Sequence, residues 1–233
     1  MVRNMSIKAF LVIFCLSLTS YIVNSQSDIS ENVSFKTRYE SANQLLIEKH
    51  YLQALEVFET LVAEQPENSN INWKVGFCHF HLPKKEKALS YLEKIGGNIS
   101  SNYNTYDSKN KKAPIESYFY FGKALHLDHQ FDRAIQIYNK FIESSKSKHY
   151  LVKDAKREIE MCNNAKYEIA NKKPYSIENI GEVINSKYDD YSAVATLDDQ
   201  AIFFTSKRVR KDNTNYEILS TEDGNHYEDV YRS

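Results

Sequence analysis

ANQLLIEKHYLQALEVF (residues 42–58), GFCHFHLPKKEKALSYL (76–92) and GKALHLDHQFDRAIQIY (122–138) are three versions of one phrase. Each opens on a small residue, Ala42, Gly76 or Gly122, and places Ala54, Ala88 or Ala134 twelve positions later. Phe58, Leu92 or Tyr138 follows after four more. The first two copies are 34 residues apart at both small positions, and the third is displaced by 46 at both, so twelve extra residues lie between copies two and three. A fixed period of this size marks stacked repeats. Small side chains at matched points let two antiparallel helices approach closely, so the phrase predicts three helical hairpins.

The 34-residue spacing, the small residue on the first helix, the Ala and then an aromatic on the second, and Pro66 near the end of the first unit resemble the tetratricopeptide repeat family. On that reading unit one covers 35–68, unit two 69 to about 102, and unit three 115 to about 148. The insertion, approximately 96–113, holds Gly96-Gly97, several Asn and Ser, and Lys109, Lys111 and Lys112. Such a composition predicts an exposed loop with solvated lysines, after which Pro114 starts the next helix. From Leu151 to Ala170 an apolar stripe runs through Val152, Ala155, Ile159, Cys162, Ala165 and Ile169. That spacing of three and four predicts a helix that caps the open end of the stack.

The 233 residues carry 30 Lys and Arg against 31 Asp and Glu. That balance argues against a nucleic-acid partner, because phosphate neutralisation needs a surplus of clustered cations. Six Gly and four Pro are too few for the tight turns of an all-β chain of this length, which leaves a mainly helical body. The 17 Tyr, with frequent Asn, Lys and Ile, are read as coding bias and assign no site.

Arg3 and Lys8 precede an apolar run from Ala9 to Leu18, and Val23-Asn24-Ser25 places short residues before Gln26. This is the layout of a secretory signal peptide over 1–25, with a linker over 26–34. The run is short for a membrane span of ~20 residues; an uncleaved anchor is the alternative. No later stretch approaches that length, so no transmembrane span is expected after cleavage. Cys15 follows the bulky Phe14 where a lipoprotein signal needs a small residue, so lipidation is not expected. Export implies an oxidising compartment, yet only Cys78 and Cys162 lie beyond the leader. One bridge between them is compatible with the sequence; two buried thiols packing as small hydrophobes is the preferred reading.

Beyond Lys172-Lys173-Pro174 the helical spacing stops. Tyr191–Thr196 and Ala201–Thr205, separated by Leu197-Asp198-Asp199-Gln200, predict a β-hairpin. The wording Asn185-Ser186-Lys187-Tyr188-Asp189-Asp190-Tyr191-Ser192-Ala193, then Ile202-Phe203-Phe204-Thr205-Ser206-Lys207-Arg208, resembles the opening blade of a TolB-type β-propeller, with Glu228-Asp229-Val230-Tyr231 as a later strand. Ala193 stands where that family usually has Pro, and Gln200 where its turn usually has Gly. The whole order resembles exported envelope proteins of the Bacteroidetes type, which continue into further blades and an OmpA-like peptidoglycan-binding domain. A propeller needs several four-stranded blades to close. The chain is therefore expected to be the front of a longer protein, with residues from about 175 onward poorly packed and an open sheet edge.

Candidate chemistry is sparse, and no cofactor or metal is expected. His79 and His81 are two apart on a helix and diverge; His126 and His129, three apart, could face together, but no Cys or carboxylate completes a zinc set. Asp189-Asp190 and Asp198-Asp199 lack the acidic ladder of a calcium loop and are read as turn residues. No Gly-x-Ser-x-Gly, phosphate loop or His-Glu-x-x-His occurs, so no catalytic residue is assigned and a non-enzymatic role is expected. The run Lys207-Arg208-Val209-Arg210-Lys211 is read as a flexible loop, with phosphate binding as the sharper alternative.

The tetratricopeptide resemblance implies a concave groove lined by Tyr39, Asn43, Trp73, Phe77, Phe119, Lys123 and His126, with core packing as the competing role for the aromatics. Its expected occupant is a peptide or protein partner in the periplasm or at the outer membrane, and peptidoglycan would be reached only through a C-terminal domain. The alternatives are a small secreted adaptor and the front of an exported propeller hydrolase.

Overall fold

The computed structural model describes residues 33–83, 85–145, 149–220 and 222–233. The expected signal peptide, nearly all of the linker and the expected end of unit three at Lys148 lie outside the described residues. The described chain is mainly helical with a small sheet. Its helices are α1 (Phe35–Ile47), α2 (Tyr51–Glu64), α3 (Ser69–His81), α4 (Ala88–Glu93), α5 (Glu116–Leu127), α6 (Phe131–Ser144) and α7 (Val152–Ala170). Successive helices pack on one another along the whole array. Two caps fix its start: Ser34 Oγ accepts from the Thr37 amide, and Asn68 Oδ1 from those of Asn70 and Ile71.

Two of the hairpin turns share one backbone conformation. Lys49 and His129 hold left-handed conformations, φ 64° and 59°, seven residues after Ala42 and Gly122 respectively. Their neighbours close the helices alike: the His50 amide donates to Leu45 O, and the Gln130 amide to Leu125 O, both at 2.9 Å. In the second copy the same position is Pro83, whose ring excludes positive φ. That hairpin turns instead through a 3₁₀ segment, Lys85–Lys87, and its second helix, α4, has only 6 residues. His129 thus lies past the end of α5, so the expected pairing of His126 and His129 on one helix gives way to two rings flanking Phe131.

The small residues sit where helices meet. A Cβ built on Gly122 would come within 2.6 Å of the Tyr138 ring, and one on Gly76 within 2.8 Å of Leu92 Cγ. Each contact joins the first and last residues of one copy of the phrase. Ala42 and Phe58, at the equivalent positions, are both fully buried. On α7, Ala155 and Cys162 are buried against α6, while Ile169 is exposed. Cys78 and Cys162 are both buried free thiols.

The insertion differs from the expected exposed loop. It is closed at its base by a two-residue parallel ladder, β1 (Ile99–Ser100) with β2 (Ala113–Pro114), so Pro114 is a strand residue and α5 begins two residues later. Lys109, Lys111 and Lys112 are exposed, but the loop itself lies across α1 and α3. Asn104, Asp107 and Asn110 each accept from a main-chain amide two residues on, which shapes the loop as three successive turns.

The C-terminal strands β3 (Asp190–Ala195), β4 (Ile202–Ser206) and β5 (Asp229–Arg232) form an antiparallel sheet in the order β3-β4-β5. Phe204 and Ser206 are buried on one face. Arg208 holds that face together, stacking between Phe204 and Tyr231 and donating to Asp190 Oδ1 at 2.8 Å and to the Val183 and Ile184 carbonyls. Burial alone would raise the Asp190 pKa, but hydrogen bonds from Arg208, Ser206 and Ser186 hold it well below the carboxylate range. Lys207 pairs with Asp223, and Arg210 with both oxygens of Asp229. The basic run expected to be a flexible loop is therefore tied down by three ion pairs. The opposite face leaves Tyr191, Val194, Phe203 and Val230 exposed, and every residue from 171 to 183 is exposed.

Two outcomes follow. Gly→Ala inside a helix ordinarily stabilises by up to about 1 kcal/mol, but Gly122→Ala should lower the unfolding free energy by ~1–3 kcal/mol because the Tyr138 ring must move; urea denaturation followed by helical circular dichroism checks this. Limited trypsin treatment should cut after Lys172 first, the bond from Lys173 to Pro174 being resistant, and leave a resistant helical fragment, whereas survival of the intact chain would show that the sheet is firmly packed.

Candidate functional site

α3 decides the site. Its sequence, Ser-Asn-Ile-Asn-Trp-Lys-Val-Gly-Phe-Cys-His-Phe-His, carries one Lys and no other Lys, Arg, Asp or Glu. A helix uncharged all round is a buried helix, and every residue from Ser69 to Gly76 is buried. Lys74 is accordingly only 1% exposed.

Lys74 is satisfied by neutral groups. Its Nζ donates to Asn43 Oδ1 at 2.6 Å and to Thr105 Oγ1 at 3.0 Å, and it lies 5.4, 5.7 and 6.0 Å from the ring centroids of Tyr39, Phe58 and Tyr103. Among the described residues no carboxylate pairs with it. Removal from water pushes its pKa down to about 7, with the Cys78 thiol opposing the shift. Burial pushes Cys78 up to about 12. Beside Lys74 on the same helix, Asn70 Nδ2 donates to Tyr39 Oη at 2.9 Å and to Asn110 O at 3.0 Å, and its Oδ1 accepts from Tyr103 Oη at 2.5 Å. Tyr39 Oη in turn donates to Thr105 O at 2.9 Å. α1, α3 and the insertion are thus joined by one continuous polar network.

Adjacent to it is a cleft of about 300 Å³ lined by Leu46, Trp73, Phe77, Tyr103, Glu116, Tyr120 and Tyr150, with Lys74 at its floor. Trp73, Phe77 and Tyr120 form a triangle with ring centroids 4.9 to 5.4 Å apart. Trp73 is nearly buried within it, while Tyr150 at the rim is 72% exposed. Burial, with Tyr150, Tyr51 and Glu116 nearby, raises the Tyr120 phenol to about 12, so it remains a hydrogen-bond donor at neutral pH.

The seven residues expected in one groove occupy four environments. Tyr39 and Asn43 lie under the insertion. Trp73 and Phe77 belong to the aromatic triangle. Phe119 packs on Tyr138 and Phe141 inside the third hairpin. Lys123 and His126 both reach Glu158 of α7, at 3.6 and 3.1 Å. Asn70, Lys74, Tyr103, Thr105 and Tyr120 escaped the sequence reading. The lone charge in α3 was the available signal for Lys74; the loop residues carried none.

A second, polar cleft of about 670 Å³ is lined by Lys49, Tyr51 and His81 on the helical side and by Glu222, Asp223 and His226 on the other. His81 stacks on Tyr51 with centroids 4.5 Å apart. Burial, then Lys85, Lys123 and Lys49, pull its pKa down to about 4, so it is a neutral imidazole. Among the described residues no cluster of three or more His, Cys, Asp or Glu is placed to hold a metal ion, and no helix is long and apolar enough to cross a membrane. Compared with protein-family models and with curated proteins, the chain matches none.

The buried amine has a pH signature. Unfolded, Lys74 keeps its proton up to its ordinary 10.5, and folded it gives it up near 7, so the unfolded state binds more protons above 7 and stability rises with pH. Cys78 offsets the rise above its ordinary 9.0, where only the unfolded thiol ionises, so the two contributions cancel up to 10.5. Between pH 7 and 9 the unfolding free energy should climb by at most about 1.4 kcal/mol per unit, and Lys74→Met should remove that component; an unchanged slope in the variant would contradict the assignment.

Proposed function

We propose that the helical array is a tetratricopeptide-type scaffold that holds a protein partner and performs no catalysis. The observation that carries this reading is the open aromatic cleft of Trp73, Phe77, Tyr120 and Tyr150 on the faces of α3 and α5. Aromatic side chains that combine large contact area with a polar tip are the commonest interface anchors. Recurrence of the small-residue contact and of the left-handed turn, in hairpins related by the sequence period, supports the repeat assignment.

The scaffold works in the bacterial envelope, exported by the leader over 1–25. The C-terminal strands are the first blade of a TolB-like propeller, and the chain is similar in order to Bacteroidetes-type envelope proteins whose further domain holds peptidoglycan. The fold resemblance alone is a weak warrant for function; the cleft supplies the local one. A second reading, a stand-alone adaptor that takes up a partner's strand, is favoured by the open β3 edge, where Asp190–Ala195 is exposed along nearly its whole length.

A photo-cross-linking residue in place of Tyr150, introduced in the source cell, tests the leading reading. One envelope protein should be captured, and Tyr120→Ala should reduce capture at least tenfold while Tyr120→Phe largely retains it, with helical content equal in all three. Capture unaffected by Tyr120→Ala would exclude the cleft as the docking face.

A further inference from the structure

The insertion touches the helices in an unusual way. Across residues 103–111 its hydrogen bonds to α1 and α3 are made with four helix residues, Tyr39, Asn43, Asn70 and Lys74, and involve both its carbonyls and its side chains. Tyr39 Oη donates to Thr105 O at 2.9 Å, Asn70 Nδ2 to Asn110 O at 3.0 Å, and the Asn70 amide to Lys111 O at 3.3 Å. No residue from 100 to 112 is buried; only Tyr103 and Thr105 add side-chain hydrogen bonds to α1 or α3. Polar residues gathered on a segment that holds no buried residue of its own are the contacts of a receptor with a bound peptide, not those of an apolar core. Water can replace such polar contacts at small net cost, and the positive φ of Gly96 and Gly97 places two conformationally free residues at the loop's base.

We infer that Tyr39, Asn43, Asn70 and Lys74 form a peptide-binding site that the chain fills with its own residues 103–111, and that a segment of a partner protein displaces this internal occupant. This deepens the scaffold reading and rests on it. The chemistry of the preferred occupant can be read from what the loop fails to supply. Lys74 has three N–H donors, two neutral acceptors and, among the described residues, no carboxylate. A segment with Asp where the loop has Thr105 puts an anion against that amine and gains a charge-assisted bond in a water-poor site. The site therefore selects an acidic polypeptide segment.

The test uses the full chain with residues 101–111 replaced by a Gly/Ser stretch of equal length. The probes are a synthetic peptide of residues 101–112 and the same peptide carrying Thr105→Asp. Both should bind the replaced protein and shift the side-chain signals of Asn43 and Asn70. The acidic peptide should bind at least tenfold more tightly, and neither should bind the unaltered protein appreciably. A replaced protein that keeps its helical signal and binds neither peptide overturns the inference. Should the replacement fail to fold, reductive methylation of Lys74 in the unaltered protein decides: a rate independent of low urea means that the loop opens locally, and a rate that tracks global unfolding means that it is permanent core. Partner capture through the Tyr150 cleft together with a permanently closed loop would overturn this inference alone and leave the scaffold reading standing.

Discussion

A buried lysine amine with no carboxylate beside it among the described residues is the constraint on which the rest of this structure turns. Lys74 is tolerable at 1% exposure because Asn43 and Thr105 accept from it and three aromatic rings crowd around it. Meeting that demand fixes the position of α1 relative to α3 and brings the insertion across both. An orphaned buried amine costs more than its hydrogen bonds return, so the loop cannot leave without water or another ligand taking its place. The insertion covers one region beside α3, and the cleft of Trp73, Phe77, Tyr120 and Tyr150 remains next to it.

Much of the helical body was legible in the sequence because its contacts are local and periodic. Gly76 and Gly122 meet residues 16 positions further on, within one hairpin, so the small-residue pattern reported a real contact. The hairpin strands and β5 fell close to their expected positions because alternating β-formers and turn residues are also local signals. The failures are all non-local. Asn70 meets Asn110 forty residues away, and Tyr39 meets Thr105 sixty-six away. No spacing rule reports such pairs. The polar composition of the insertion correctly indicated a loop, but composition cannot say that its carbonyls are held from below. Likewise the Lys207–Lys211 run read as a flexible loop because its partners Asp190, Asp223 and Asp229 are scattered in sequence.

The turn at Pro83 shows how one residue redirects a repeat. Lys49 and His129 close their hairpins through left-handed backbone that proline cannot adopt. The middle hairpin is consequently the irregular one, with a shortened second helix, and the insertion emerges directly after it. Irregularity and the loop-covered site thus share one location, between the first and third hairpins. The helical body thus presents two adjoining surfaces, one open and aromatic, the other polar and occupied by its own chain.

The most direct measurement of this account is a proton nuclear Overhauser spectrum of the unaltered protein, read at the Lys74 Hε protons. Packing among the Tyr39, Phe58 and Tyr103 rings predicts strong cross-peaks from Hε to all three and resonances displaced upfield by the ring faces. Hε signals at free-lysine positions, without cross-peaks to Tyr103, would contradict the claim that a buried amine holds the insertion across the helices.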